Sequence, residues 1–377
     1  MNKAETEFIN SNAPLTKQVA VIGGGVIGRI TAWHLASFGY EIVLIDPSIN
    51  QPINRLQALN GTSASLGILM GNVFRRSHGR SWRLRRRSME LWDEWISKLS
   101  TPKMSLEIQR PLVLLARSKK EASFMQTLTH ERADLDLEMF PVSTALQNIQ
   151  LWPSQTFGGL ISHKDGRIDP LQLQKCLLNA LKNRQVETIA AKVTSLERNS
   201  VSNQRRWKIH LSNHQTIRKD IAIICASLGS EALLRPLGHS NPITAVLGQV
   251  INLELKENTK NWSGWPAVLA TQGINLIPNG TNNILMGATL EPGENASAQA
   301  ILEMKGMQGN APEWINTASI TEQWSGLRAK PTQEAAPLMK TLEPGLILAT
   351  GHYRNGVLLA PATAEWVATE IMNNIKH

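Results

Sequence analysis

Apolar and polar positions change their spacing several times along the chain, and each change marks an element. The first short run, Gln18–Ile22, is β-rich and leads straight into Gly23, Gly25 and Gly28. Residues 26–38 then read as a helix, with Gly39 placed to end it as a C′ glycine. A second β-rich run, Glu41–Ile45, stops at Asp46. Further on, Leu84, Ser88, Leu91, Trp92, Trp95 and Leu99 recur at i, i+3, i+4 and i+7, which predicts a helix packed on one face. Strands are expected at 187–196 and 221–226, and again at 111–116, 248–255 and 283–288, where Gly, Asn and Pro turns separate them. A last helix is expected after Gly356, running to about residue 375. Pro361 fits it only near the first turn, where a missing N–H costs little.

Composition narrows the class. With 377 residues, 42% hydrophobic and 18% charged, the chain can bury a large core, and its length favours two domains. The polar opening stretch lacks the apolar centre of a signal peptide, and no apolar run approaches the roughly 20 residues that cross a bilayer. A soluble, cytoplasmic protein without a membrane span is expected. Cys176 and Cys225 are too few for a disulfide framework and sit in apolar segments, so they read as buried small hydrophobes. Nine histidines show no HExxH pattern and the cysteines no CxxC, so no metal site is expected. The net charge of +9 is concentrated in 74–88, which holds seven arginines. On the predicted helix most of them face solvent, and no nucleic-acid-binding motif accompanies them.

The glycines carry the first chemistry. Gly23 allows a tight turn after the strand, Gly25 lets backbone amides approach a pyrophosphate, and Gly28 lets the helix pack closely on the sheet. The helix start at Val26 and Ile27 offers partial positive charge to phosphates, and Asp46 is placed to accept from a ribose diol. Strand, helix, second strand and acid together form a dinucleotide-binding unit. It does not choose between nicotinamide and flavin. Small-residue clusters recur downstream, however, at 61–67 (GTSASLG), at 227–230 (SLGS) and at 349–361 (ATGHYRNGVLLAP).

In chain order these blocks are GxGxxG with Asp46, the loop containing Thr62, Ser63 and Gly67, GRIDP at 166–170, MGATLEPG at 286–293, WSGLR at 324–328 and GHYRNGVLLAP. Together they resemble the D-amino-acid oxidase superfamily of flavoenzymes, most closely its glycine oxidase branch, which is linked to thiamine synthesis. The resemblance spans about 18–374 and implies an α/β fold. A Rossmann-like, discontinuous FAD-binding domain would comprise 18–105, 157–237 and 322–377. A second, sheet-rich α+β substrate domain would comprise 106–156 and 238–321, and 1–17 would be an N-terminal extension.

The same resemblance implies FAD as cofactor and oxidative deamination of a small amino acid or amine. The imine is then hydrolysed by water, and dioxygen reoxidises the flavin to give hydrogen peroxide. Arg328 matches the arginine that grips the substrate carboxylate through two parallel bonds. Tyr353 and Arg354 would border the substrate cavity. The loop of Arg354, Asn355, Gly356, Val357 and Leu358 would present backbone N–H groups where reduction places negative charge. By position, Val193 matches a valine whose backbone reads the adenine, Ser227 and Gly229 match the flavin end of a strand, and Asp169 is an N-cap. Some positions depart from the branch. Asn275 stands where a pocket tyrosine is usual, Leu247 replaces a lysine, and 333–337 and the Ala226-Ser227 pair differ. They leave the substrate open. A dehydrogenase passing electrons to a quinone or protein, and a non-catalytic flavoprotein, stand as alternatives, and the sequence is compatible with an oligomer.

Overall fold

The computed structural model describes residues 17–55, 61–140, 157–199, 206–256 and 262–373. Gln18–Ile22 is a central strand of a six-stranded sheet, with Glu41–Ile45 and Glu187–Ile189 on one side. On the other lie Ile221–Ile224, Leu346–Thr350 and Leu338–Glu343; all neighbours are parallel except the last pair. These strands are apolar at nearly every position because both faces are covered. Val19, Val21, Ile42 and Leu44 point into a core shared with the helices Val26–Ala36, Arg80–Leu99, Pro170–Asn183 and Gly356–Asn373. Their neighbours Ala20, Ile22, Val43 and Ile45 point the other way, onto a three-stranded antiparallel sheet through Leu196, Trp207 and Ile209. A one-residue alternation thus divides the unit into two cores.

The second sheet has nine strands and is mixed, its one parallel pair joining Val268–Thr271 to Leu112–Leu115. Its spine is Ile243–Glu254 paired antiparallel along its full length with Ser319–Pro331. Two stretches read from sequence as part of the first unit pair here instead. Gly159–Ser162 lies between Leu112–Leu115 and Leu137–Phe140, with Leu160 fully buried. Ser319–Pro331 matches the length of its partner strand, which carries the sheet past the expected boundary at 322. The strand expected over 187–196 also divides. Glu187–Ile189 closes the six-stranded sheet, whereas Val193–Arg198 joins the three-stranded one, tied across by Ser212 donating to the Lys192 carbonyl.

Helix ends show local chemistry at work. Val26–Ala36 stops two residues before the expected 38, and Gly39 follows at φ 80°. Asp169 caps Pro170–Asn183 by accepting from Leu171 and Gln172 N–H at 3.0 and 2.9 Å, with Pro170 in the first turn. The arginine-rich helix buries Ser88, Leu91, Trp92, Trp95 and Leu99, and Leu84 is half-buried. Against expectation it also buries Arg85. The last helix begins at Gly356, so Pro361 lies in its second turn rather than its first. There Pro361 leaves the Val357 carbonyl without its i+4 donor. Trp92 supplies the replacement: its Nε1–H donates to the Val357 and Leu358 carbonyls at 3.1 and 3.2 Å, while Ala362 N–H donates to Ser88 Oγ at 3.2 Å. Cys176 and Cys225 are buried and unpaired. Among the described residues no helix is long and apolar enough to cross a membrane, and no cluster of His, Cys, Asp or Glu could hold a metal.

Candidate active site

A cavity of about 1240 Å³ runs between the two sheets. That exceeds the space a drug-sized ligand takes and leaves room for a dinucleotide beside a small substrate. At one end Gly23, Gly25, Val26, Ile27 and Asp46 line it. The helix Val26–Ala36 has no side-chain cap at Gly25, so its N-terminus opens on the cavity. A Cβ at Gly25 would approach only Thr62 Oγ1, at 3.4 Å, so the wall is open for backbone to meet a phosphate. Gly28 does not line the cavity. A Cβ there would overlap the Gly23 carbonyl oxygen, so Gly28 sets how closely the helix seats on the glycine turn.

Asp46 is organised by its neighbours. Its Oδ2 accepts from Gly24 N–H at 2.7 Å, and its Oδ1 accepts from Ser48 N–H and Oγ–H at 2.8 and 2.6 Å. Oδ1 is thereby filled, and Oδ2 keeps one lone pair in reserve. Arg29, which sequence reading passed over, braces the same turn by donating to the Gly24 carbonyl at 2.6 Å. Burial lowers its pKa to about 10, against the opposing pull of Asp46.

Thr62 and Gly67 line the middle of the cavity, and Thr62 Oγ1 accepts from Val26 N–H at 3.1 Å. Ser63 lies behind the wall, where its Oγ accepts from Gln174 Nε2 at 3.0 Å. Val193, Ser227 and Gly229 also line it, Ser227 with φ 52°. At the far side stand Tyr353, Arg354, Asn355, Gly356, Val357 and Leu358, so a second helix start opens on the same space. Tyr353 turns the chain at φ 54° and donates its N–H to the Ala329 carbonyl at 3.1 Å. Beside it His352 is buried and bonded to Thr363 Oγ1 at 2.9 Å, and burial brings its pKa down to about 3. It is a neutral imidazole.

Arg328 comes from the long strand pair. Its Nη1 donates to the Leu247 and Thr289 carbonyls, both at 3.1 Å. The guanidinium lies flat over Gly248, where a Cβ would overlap Nη2, Cζ and Nη1. Thr289 is held in turn: its Oγ1 accepts from Gln249 N–H at 2.7 Å and donates to buried Glu291. Burial first, and then the charge of Arg354, draw the Arg328 pKa below its ordinary value. Asn275 lines this end too, with Nδ2 donating to the Gly287 carbonyl at 3.2 Å. Thr289 and Glu291 lie in the MGATLEPG block, but neither they nor Gly248 were assigned to the site from sequence. Their roles follow from pairing across the sheet.

Two helix N-termini, the open glycine turn and the reserve acceptor on Asp46 would fit FAD. Comparison with known proteins agrees with FAD as the cofactor. A glycine oxidase of Pseudomonas putida is 24% identical over 386 residues, covering 93% of this chain and 93% of that protein. The bifunctional protein ThiO/ThiG of a Nostoc species is 26% identical over 365 residues, covering 95% of this chain; the chain spans 53% of that longer protein. Among solved structures, glycine oxidase from Bacillus cereus superposes with a TM-score of 0.78 at 19% identity over 95% of each chain, which shows a shared fold. Residues 18–370 match the family described as DAO, FAD dependent oxidoreductase, and to that family, with FAD as its cofactor, this chain belongs.

Proposed function

We propose that this chain oxidises the carbon–nitrogen bond of a small amino acid or related amine to an imine, which water then hydrolyses, with dioxygen as the electron acceptor and hydrogen peroxide as the second product. Bound FAD supplies the two-electron chemistry. The chain's own residues orient the substrate and stabilise charge. Arg328 holds the α-carboxylate through the guanidinium edge that Leu247 and Thr289 leave uncommitted, which fixes the α-carbon relative to the cavity wall. The amides at the start of Gly356–Asn373 offer positive potential to negative charge developing at that end. His352, neutral and held by Thr363, contributes shape rather than charge.

The observation that carries the reading is the preset Arg328 in a cavity whose opposite end is a dinucleotide turn. The names of the similar glycine oxidases support an amino-acid substrate. The test is Arg328→Lys beside Arg328→Ala, assayed for peroxide release on glycine, sarcosine, D-alanine and iminodiacetate. Both should keep FAD, while KM rises by about 100-fold for Ala and stays raised for Lys, which lacks the planar fork. An unchanged KM removes the carboxylate role. Substrate-dependent flavin bleaching without peroxide in air replaces dioxygen with another acceptor.

A further inference from the structure

Arg85 is a buried charged group in this cavity that the proposed reaction leaves without a task. It sits in the second turn of Arg80–Leu99, is 8% exposed, and lines the cavity. Its neighbours on the same helix face acids in solvent: Arg86 pairs with Asp134, and Arg87 with Glu90 and Glu365. Among the described residues no carboxylate meets Arg85. Its Nη1 donates to the Ser81 carbonyl at 3.0 Å, and its guanidinium lies 3.9 Å over the Phe74 ring. Burial alone draws its pKa below the ordinary arginine value, with no acid opposing the shift. A guanidinium stays charged even so. Removing such an ion from water costs more than a ring face returns.

The wall that carries Arg85 is built in advance. Buried Asp165 accepts from the N–H groups of Gly71, Asn72 and Val73 at 2.9 to 3.1 Å, which fixes the segment leading to Phe74. Gly71 packs against Met89, one turn beyond Arg85. The other cations lining the cavity, Arg75, Lys192 and Arg354, are exposed, where water screens them. Arg85 and Arg328 are not. Among the described residues Asp46 is the one carboxylate in the lining, and it is engaged by Gly24 and Ser48. Two poorly hydrated guanidinium groups thus line one cavity in which, beside the cofactor's own diphosphate, the reading above assigns a single substrate anion, the α-carboxylate.

We propose that Arg85 recognises a second anionic group and that the preferred substrate is a dicarboxylic amino or imino acid, one carboxylate at Arg328 and the other at Arg85. This rests on the oxidase reading above and narrows its substrate class. The test uses the FAD-loaded protein. Peroxide release is compared for D-aspartate, D-glutamate and iminodiacetate against glycine, sarcosine and D-alanine, in the natural chain and in Arg85→Leu and Arg85→Lys. In parallel, non-oxidisable succinate and glutarate, with acetate and butyrate as controls, are titrated against the flavin absorption bands.

At least one dicarboxylate should exceed the monocarboxylates in kcat/KM by tenfold or more. Arg85→Leu should lower that selectivity by about 100-fold, as loss of a desolvated charge partner does, with succinate or glutarate binding weakened in step and Arg85→Lys intermediate. Equal losses for both substrate groups, or an altered flavin spectrum in Arg85→Leu without ligand, would overturn the proposal by giving Arg85 a cofactor or packing role. Turnover of monocarboxylates with no preference for dicarboxylates refutes the inference and leaves the oxidase reading standing. If no amine is oxidised, the oxidase reading fails, and the succinate titration still decides whether Arg85 binds an anion.

Discussion

Pro361 in the second turn of the final helix should couple energetically to Trp92 on a different helix. Trp92→Phe removes the Nε1–H that donates to Val357 and Leu358 at 3.1 and 3.2 Å. Because Pro361 has no N–H, the Val357 carbonyl then has no i+4 donor to fall back on, and the site is fully buried. Leaving one buried acceptor unsatisfied costs about 1–3 kcal/mol, and the smaller ring adds a cavity cost of about 1–2 kcal/mol. Pro361→Ala restores a backbone donor at that position. In its background the first cost should vanish and the second remain, giving a coupling energy of about 1 kcal/mol or more. Urea unfolding of the four proteins at one saturating FAD concentration, followed by circular dichroism, measures it. Additivity within about 0.5 kcal/mol would refute the argument, since it would mean that Trp92 acts through packing alone.

Three further outcomes follow from the same geometry. Gly248→Ala places a Cβ where the Arg328 guanidinium lies, so KM for the amine should rise at least about tenfold while FAD absorbance persists; an unchanged KM would separate Gly248 from the site. Gly28→Ala forces the helix away from the Gly23 carbonyl and should abolish retention of FAD through purification, checked by fluorescence titration with added cofactor. The His352 pKa is lowered by burial to about 3 in the folded chain, below the ordinary 6.5, so its contribution to stability is fully present above pH 6.5. That contribution is lost as pH falls towards 3, because the unfolded chain takes up the proton first. Between those values the loss is about 1.4 kcal/mol per pH unit, and His352→Asn should flatten the measured slope by about one proton.

What the sequence disclosed, and what it hid, follows from the range of the interactions. Gln18–Ile22 and Glu41–Ile45 are legible to the residue because glycine and polar positions stop them abruptly and every side chain between is needed by one of two cores. The crossing from one sheet to another at 190–192 carries no Gly or Pro signal, so two short strands read as one. The pairing of the strand that crosses 322 was hidden for a related reason. WSGLR looks like part of the cofactor unit, but its strand is defined by a partner some eighty positions earlier. Arg85 was hidden because a helical wheel assigns a charged residue to solvent by default, and only the Phe74 segment, pinned by Asp165, turns that face inward.

The departures from the glycine oxidase pattern carry unequal weight once the backbone is considered. Leu247 replaces a lysine, yet its side chain is 1% exposed and what it gives the site is a carbonyl to Arg328, which any residue would provide. That change leaves the bonds that hold Arg328 intact. Asn275 is different, because it lines the cavity and is tied to Gly287 where a larger phenol would otherwise stand. Exchanging a phenol for a short amide makes space, and Arg85 adds a cation lining the same cavity. A bulkier substrate with a second negative charge satisfies both changes at once, whereas glycine uses neither. Asn275→Tyr should therefore act on the same selectivity ratio as Arg85→Leu, by refilling volume rather than by removing charge. A bulky monocarboxylate such as D-norvaline separates the two variants, since Asn275→Tyr should raise its KM and Arg85→Leu should leave it unchanged.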